Sequence, residues 1–257
     1  MKDKRQAEIM KLLLKEQTIT TEELRTHFGV SMETIRRDIN SMEQTGFIKK
    51  VYGGIRLASD SSNMTSLGNW SDRVEKCHNE KVRIATRALD LIPDNSVVAL
   101  DIGTTTYELS RLLVAKHDLS IITNSLMTAS ELARSTTHKI YCIGGVVVPN
   151  EIVTSGMFAH QFLSNFASID FFIGSADGIT PERSITECNE EVVEIKRQLI
   201  SRAGCHIALV DHSKFGKVGL FESCPIEDID VLITDEQAPQ VAVDKLRELG
   251  VDVIIAR

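Results

Sequence analysis

The sequence of 257 residues contains no C-x-x-C motif and no long apolar run. Its five cysteines are odd in number, and Cys77-His78 and Cys205-His206 are adjacent pairs rather than the spacings that bind zinc. With no signal peptide, this cysteine usage predicts a reduced, cytoplasmic protein without a metal. Since no apolar run approaches the length of a membrane span, we expect no membrane partner.

The chain is not basic overall, because its 36 Asp and Glu outnumber its 29 Lys and Arg and give a net charge of −7. Its distribution is uneven: residues 1–58 contain 11 Lys and Arg against 8 Asp and Glu, whereas the rest contains 18 against 28. A basic segment beside an acidic body is typical of a nucleic-acid-binding head carried by another domain. The length also favours two domains. We predict a DNA-binding domain over residues 1–58, a linker rich in Ser and Asn over 59–69, and a second domain over 70–257.

Residues 31–40, SMETIRRDIN, have the pattern of a helix with one apolar and one polar face. Ile35, Ile39 and Met42 recur at i, i+4 and i+7 and form the apolar stripe. Arg37 and Asn40 lie on the opposite face, and in a major groove Arg pairs with guanine and Asn with adenine. A surface helix with solvated charges has the same pattern, so the flanking segments decide between the two.

The flanking segments predict a winged helix-turn-helix. Thr20 and Glu23 have the spacing of a capping box that begins a helix, and Gly29 ends that helix shortly before the next one. After the second helix, residues 48–57 alternate apolar and polar side chains around Gly53-Gly54, which predicts a hairpin. The hairpin is basic, so it is suited to the phosphate backbone beside a recognition helix.

Position on these elements assigns a role to each candidate DNA contact. Side chains on the outward face and at the N-terminal end of the recognition helix are expected to read bases, and the other cations to bind phosphates. Asp38 lies nearer the buried edge and is expected to orient an arginine. The candidate base readers are Arg37, Asn40, Ser31 and Thr34, and the candidate phosphate contacts are Arg36, Lys49 and Lys50.

The second domain alternates short β-branched runs with helical stretches, which predicts an α/β fold with a mostly parallel sheet. In such sheets, ligands bind beyond the carboxyl ends of the strands. Function is therefore expected in the loops that follow the strands. The predicted strands cover residues 97–100, 120–122, 140–143, 170–173, 206–210, 231–233 and 251–255.

The loop after the first of these strands, D-I-G-T-T-T over residues 101–106, has the composition of a phosphate cradle. Glycine allows close backbone approach, and the N–H groups at a helix start, with three hydroxyls, favour an anion. The loop matches neither the Walker A motif nor G-x-G-x-x-G, so a nucleotide is not indicated and we expect no cofactor. A turn with Thr as the helix cap is the alternative.

Four consecutive strand ends carry glycine or small polar residues, which together predict a site for a small, phosphorylated, hydroxyl-rich ligand. Lysines near these ends are suited to a phosphate and carboxylates to sugar hydroxyls, although surface helix charge explains Lys196 as well. The candidate ligand contacts are Asp101, Gly103, Thr104, Thr105, Thr106, Thr123, Asn124, Ser125, Gly144, Gly145, Asp177, Glu190, Lys196 and Lys214.

The run T-I-R-R-D at residues 34–38 and the Gly53-Gly54 turn resemble the DNA-binding head of the DeoR family of bacterial transcriptional regulators. D-I-G-T-T-T, T-N-S, G-G, A-D-G-I, N-E…K and D-x-S-K-F-G follow in the order of that family's sensor domain, so the resemblance covers almost the whole chain. It implies a fold similar to ribose-5-phosphate isomerase and a ligand role for the matching candidates. Ser175 and His212 depart from the family pattern, where Gly and Ser are usual.

Taken with the resemblance, these patterns predict a transcriptional regulator, a repressor of a carbohydrate catabolic operon. Its expected partners are double-stranded operator DNA, a phosphorylated sugar or polyol effector, and further copies of itself in a dimer or tetramer. The alternative is an isomerase-like enzyme that uses Asp101, Asp177, Glu190 and Lys196 for acid–base chemistry. Because a DNA-reading head has no use in a plain isomerase, we expect no enzyme and no catalytic residue.

Overall fold

The structure is a computed structural model that describes residues 5, 6, 8–10, 12, 13, 18–44, 48–51, 53–57, 70–134, 137–148 and 151–257. The chain divides into two compact units, Met1–Ser66 and Leu67–Arg257. The predicted linker, residues 59–69, lies outside the described residues, and the domain bounds stay a prediction. Among the described helices, none combines the length and the apolar character that a bilayer crossing needs.

The N-terminal unit is a winged helix-turn-helix, as predicted. The described residues between 5 and 13 are helical, and the structure continues with β1 (Thr18–Thr20), α1 (Thr21–Phe28), α2 (Met32–Gln44), β2 (Ile48–Val51) and β3 (Gly54–Leu57). The capping box is present, because Glu23 N donates to Thr20 Oγ1 and Thr20 N donates to Glu23 Oε2, at 3.2 and 2.8 Å. Gly29 ends α1 with a φ of 60°, a left-handed conformation that suits glycine.

The wing is the antiparallel hairpin β2–β3, and β1 adds a third strand on the other side of β3. The sequence did not predict β1, because three residues carry too little alternation to be recognised. The core of this unit contains the predicted stripe of α2, with Ile35 and Ile39 buried against partners from the other helices and the wing. Its other fully buried members are Ile9, Met10, Leu13, Leu24, Ile48 and Ile55.

The C-terminal unit is built on a parallel sheet of seven strands in the order β15-β14-β12-β9-β4-β5-β6. The seven predicted strands are the seven strands of this sheet, within three residues at each end, so the α/β class is confirmed. They are β4 (Val97–Leu100), β5 (Ser120–Thr123), β6 (Lys139–Cys142), β9 (Ile169–Gly174), β12 (Ala203–Leu209), β14 (Val231–Asp235) and β15 (Asp252–Ala256).

Helices cover both faces of this sheet, because side chains along each strand point alternately to opposite sides. Val98 and Leu100 belong to the core on one face, and Ala99 belongs to the core on the other. The helices are α3 (Trp70–Glu75), α4 (His78–Leu89), α5 (Thr104–Leu112), α6 (Leu126–Leu132), α7 (Met157–Leu163), α8 (Glu190–Ile200) and α9 (Gln240–Glu248). Short 3-10 helices span Leu113–Ala115, His212–Lys214 and Ile226–Asp228.

Five further strands were not predicted; each has three or four residues and pairs antiparallel outside the main sheet. They form a two-stranded hairpin and a three-stranded sheet in the order β10-β11-β13. The hairpin is β7 (Val146–Val148) with β8 (Val153–Ser155), and the sheet is β10 (Gly178–Thr180), β11 (Ser184–Glu187) and β13 (Phe221–Cys224).

Candidate functional site

The recognition helix α2 presents the polar face that the pattern predicted. Arg36, Arg37 and Asn40 are exposed, and the Arg37 side chain is 78% exposed. Its Nε lies 3.3 Å from Glu33 Oε1, one helical turn away, in a surface ion pair of small energy. Both groups are therefore free to leave each other for a stronger partner.

The N-terminal end of α2 combines capping with exposure. Thr34 N donates to Ser31 Oγ at 3.2 Å, so Ser31 caps the helix, and the two hydroxyl oxygens lie 2.9 Å apart. Ser31 is exposed and Thr34 half-buried. A DNA contact by either hydroxyl would therefore add to these local bonds or replace them.

A groove of about 330 Å³ lies between α2 and the wing. Arg36, Asn40 and Lys50 line it together with the Gly53-Gly54 turn. Lys50 forms an ion pair with Glu43 of α2, and Lys49 is exposed on the opposite side of the strand. The groove thus brings together one candidate base reader and two candidate phosphate contacts.

Asp38 has the orienting role that was expected of it, and its partner is Arg5. Arg5 Nε donates to Asp38 Oδ2 at 2.5 Å, and Gln6 Nε2 lies 3.4 Å from Oδ1. Since the Asp38 side chain is 2% exposed, the pair ties the first helical segment to the recognition helix.

In the C-terminal unit, the strand order reverses between β4 and β9. β5 and β6 continue the sheet on one side, whereas β12, β14 and β15 continue it on the other. Such a switch point opens a crevice at the carboxyl ends of the two central strands. The predicted loop after β4 and the Ser175–Asp177 segment after β9 both lie there.

The two loops meet at Gly103. Its φ is 143°, and a Cβ at this position would lie 2.1 Å from Ser175 Oγ, so only glycine fits. Ser175 Oγ donates to Ile102 O at 3.0 Å. Gly103 is also the residue before α5, so its loop presents the N–H groups of the helix start to the crevice.

The crevice contains two small clefts of about 20 Å³ each, which share Arg73, Gly103, Ser175 and Asp177. One cleft, here called the cationic cleft, is also lined by the start of α5 and by Lys214. The other, here called the acidic cleft, is also lined by the side chains of Glu151, Glu187 and Asn189. The further lining of the cationic cleft is Thr104, Thr105, Ala176, Leu209, Asp211 and Lys214, and that of the acidic cleft is Ile102, Glu151, Glu187, Asn189 and Val192.

Lys196 lies behind the clefts, in a buried cluster. Its Nζ is 2.9 Å from Asp101 Oδ2, donates to Ser175 O at 2.6 Å and also donates to Glu187 Oε1. The Asp101 contact is an ion pair without an aligned hydrogen bond. Two hydrogen bonds and this ion pair hold the ammonium in the interior, so Lys196 organises the crevice rather than facing it.

The carboxylates of this cluster outnumber its cation, and burial decides their protonation. Burial raises the pKa of Glu187 to about 8, against the attraction of Lys196 and with the added repulsion of Asp177 and Asp101. Burial alone would lower the pKa of Lys196, but Asp101 and Glu187 outweigh it and raise that pKa above its ordinary value. Near neutral pH, Glu187 therefore retains a proton beside a charged lysine.

The pKa shifts of two buried residues, Glu187 and His206, predict how the stability of this unit depends on pH. The Glu187 pKa rises from 4.5 unfolded to about 8 folded, whereas burial lowers the His206 pKa from 6.5 to about 4. Between pH 4.5 and 6.5 the native state holds the Glu187 proton and the unfolded state the His206 proton, so the two effects offset each other. From pH 6.5 to 8 only Glu187 contributes. The native state then binds more protons, and the free energy of unfolding should fall as the pH rises.

Urea unfolding of the wild type and of Glu187→Gln between pH 6.5 and 8.5 measures this effect. The wild type is expected to lose stability across this range and the variant to lose less. Glu194→Gln is the matched control, because Glu194 is 57% exposed. Parallel profiles for all three proteins would show that Glu187 does not titrate there.

Several candidates hold the fold instead of lining the two clefts. Thr123, Asn124 and Ser125 are buried: Asn124 Nδ2 donates to Thr154 O at 3.1 Å, and Thr128 N donates to Ser125 Oγ at 3.2 Å. Thr106 Oγ1 donates to Asp101 O at 2.9 Å. These bonds attach the β7–β8 hairpin to the sheet and close the loop after β4.

Three other candidates are exposed and lie away from the two clefts. Gly144 and Gly145 precede β7, and a Cβ on Gly145 would lie 2.4 Å from Ser155 O. Glu190 is exposed in the first turn of α8. A ligand role for these residues stays a prediction, as it does for every candidate of the crevice.

The clefts also contain polar residues that the sequence did not single out. Arg73 and Glu151 lie far apart in the chain and meet only in the fold, and Glu187 belongs to one of the unpredicted strands. Asn189 caps α8, with Glu191 N donating to Asn189 Oδ1 at 3.0 Å. Asp211 stands in the D-H-S-K run, which was the one available signal for it.

One group of described residues offers metal-binding atoms: Cys77, Asp211 and His212 place one each within 4.8 Å of one another. Asp211 Oδ1 already accepts the Ser213 N–H at 2.9 Å. Lys81 and Lys214 also lie within electrostatic range of one another and of Asp211. Positive charge on this side of the crevice favours an anion over a further cation.

The described surfaces define a class of protein: a DNA-binding regulator with an attached ligand-sensing domain. Comparison with known families agrees. The DeoR-like helix-turn-helix domain matches residues 5–61, and the DeoR C-terminal sensor domain matches residues 76–236. The chain therefore belongs to the DeoR family of transcriptional regulators, which decides between regulator and enzyme in favour of the regulator.

Individual relatives cover nearly the whole chain. The HTH-type transcriptional regulator GolR of Listeria innocua is 34% identical over 252 residues, which cover 98% of each chain. The glycerol-3-phosphate regulon repressor of Escherichia coli is 33% identical over 231 residues, 90% of each chain. A solved structure of a D-ribose-5-phosphate isomerase in complex with phospho-erythronic acid is 21% identical and covers 54% of each chain, with a TM-score of only 0.42.

Proposed function

We propose that the protein is a transcriptional repressor whose release from operator DNA is controlled by a phosphorylated sugar or polyol. The observation that carries this proposal is the switch-point crevice on the same chain as an outward-facing recognition helix. Beyond the residues that both clefts share, one cleft has a helix start with Lys214 and Asp211, and the other has two carboxyl groups and an amide. That polarity suits a ligand with an anionic group at one end and hydroxyls at the other.

The expected orientation of the ligand follows from this polarity. Thr104, Thr105 and Lys214 would bind the phosphate in the cationic cleft. Glu187 and Asn189 would bind hydroxyls in the acidic cleft, where a protonated Glu187 donates as well as accepts. The names of relatives support a regulatory role, since the Escherichia coli relative is a glycerol-3-phosphate regulon repressor.

We further propose that the repressor acts in the cytoplasm as a dimer or tetramer. Helix-turn-helix regulators read paired half-sites with two copies of the head. The ligand acts by binding one arrangement of the heads better than another, because only such differential affinity shifts the equilibrium.

Fluorescence anisotropy with operator DNA tests the proposal. The operator is first isolated by selection from random duplexes, and glycerol 3-phosphate and pentose and hexose phosphates are then added beside their unphosphorylated forms. We expect at least one phosphorylated compound, and none of the unphosphorylated ones, to release the DNA. In Lys214→Ala, release should require about 10- to 100-fold more of it, with operator affinity unchanged. Failure to bind any DNA sequence specifically would contradict the regulatory role.

A further inference from the structure

Arg73 is one of the residues that line both clefts. Neither the pattern of candidates nor the strand ends predicted it. It lies on α3, and its Nη2 donates to Glu151 Oε2 at 2.8 Å, with both side chains lining the acidic cleft. The two side chains are 16% and 7% exposed, so this ion pair is largely shielded from solvent. Leaving either of these charges without a partner is therefore costly.

The guanidinium retains unused capacity. Its Nε is buried and has no hydrogen-bond partner among the described residues. A buried N–H without a partner is unfavourable, and Arg presents its donors in a fork that matches a phosphate. Arg73 is thus already desolvated and incompletely bonded next to the start of α5.

The backbone of α3 is held so that Arg73 stays at the crevice. Lys81, 3% exposed, donates from Nζ to Arg73 O and to Lys76 O, the latter at 2.6 Å. The guanidinium carbon lies 5.6 Å from the centre of the Trp70 ring, within range of a cation–π contact. The guanidinium can therefore exchange its hydrogen-bond partner while the Arg73 backbone stays in place.

Ligand entry requires the Arg73 guanidinium to change its partner. Each cleft, at about 20 Å³, holds roughly one water molecule, and a phosphate group needs more. Arg73 has the longest side chain of the residues that line both clefts, so its movement would enlarge both. Its present partner is a carboxylate, which an entering phosphate would replace as the acceptor.

We propose that Arg73 is an anion-binding residue of the crevice and that Glu151 occupies it in the absence of ligand. An entering phosphate group takes the guanidinium from Glu151 and also satisfies Nε. This proposal rests on the proposed function, because it assigns a residue and an exchange step to the same ligand. Glu151 then competes with the ligand for Arg73, and this competition lowers the affinity of the protein for the ligand.

The exchange predicts opposite effects for the two partners of the ion pair. Inorganic phosphate, and the phosphorylated compound active in the operator assay, are titrated by calorimetry into the full-length protein. Arg73→Ala and Arg73→Gln should weaken binding by about 10- to 100-fold, whereas Glu151→Gln should strengthen it by about 3- to 10-fold. Arg87→Ala is the matched control, because Arg87 pairs with Asp90 on the exposed surface of α4 and should bind as the wild type does.

The outcomes separate this proposal from the one on which it rests. Phosphate binding that is unchanged in folded Arg73→Gln, or weakened equally by Glu151→Gln, would overturn the exchange and leave the regulatory function standing. Specific operator binding without any phosphate binding by the wild type would overturn the ligand assignment and this proposal together.

Discussion

Lys196→Met is expected to destabilise the C-terminal unit by about 3–5 kcal/mol, the cost typical of removing one partner from a buried ion pair. Methionine preserves most of the side-chain volume but removes the ammonium that Asp101, Glu187 and Ser175 O share. Asp101 then lies buried near Asp177 and the protonated Glu187 without a cation. For a unit of this size, thermal unfolding should occur about 10 °C lower.

Two comparisons make this result specific to the buried cluster. Lys245→Met removes an ion pair with Glu182 whose side chains are 46% and 61% exposed, and should leave the melting temperature nearly unchanged. Adding Asp101→Asn to Lys196→Met removes the carboxylate that has lost its cation, so it should recover part of the loss. A melting temperature of Lys196→Met within about 2 °C of the wild type would contradict the structural role.

Arg37→Ala is expected to weaken specific operator binding by about 10- to 100-fold, the loss of one bidentate base contact of about 1–3 kcal/mol. The stability of the N-terminal unit should not change, because the side chain is 78% exposed and its surface pair with Glu33 contributes little. Anisotropy against the selected operator and against unrelated duplexes measures both the affinity and the specificity ratio.

The control for Arg37 is Arg25→Ala, which removes an exposed arginine of α1 that pairs with Glu22 in the same way. It removes the same charge from the same unit, so a purely electrostatic effect would weaken binding equally in both variants. Equal losses, or operator binding by Arg37→Ala at wild-type strength, would show that Arg37 does not read a base.

Local patterns predicted the elements that are long and regular. The capping box and Gly29 bounded α1, the isoleucine stripe oriented α2, and seven β-branched runs became the seven strands of the parallel sheet. These features depend on neighbours within one or two turns, so they are visible in the sequence. Strands of three or four residues, such as β1 and β11, depend on partners elsewhere in the chain and were missed.

The candidate crevice was predicted in part for the same reason. The loop after β4 and the Asp177 segment follow predicted strands, and the fold places them side by side at the switch point. Lys196 was expected as a possible ligand contact, yet its ammonium lies among buried acceptors. Glycine and polar residues at strand ends also close turns, which accounts for the candidates that hold the hairpin instead.

The sequence by itself determined the two-part organisation, the outward face of the recognition helix and the strand ends at which a ligand site was expected. Periodicity and capping decide these features, and both act over a few residues. Only the tertiary structure decided that Arg73 faces Glu151, 78 residues further along the chain, and that Glu187 shares a lysine with Asp101. Such contacts depend on strand order and burial, because desolvation determines which charges pair and which keep a proton.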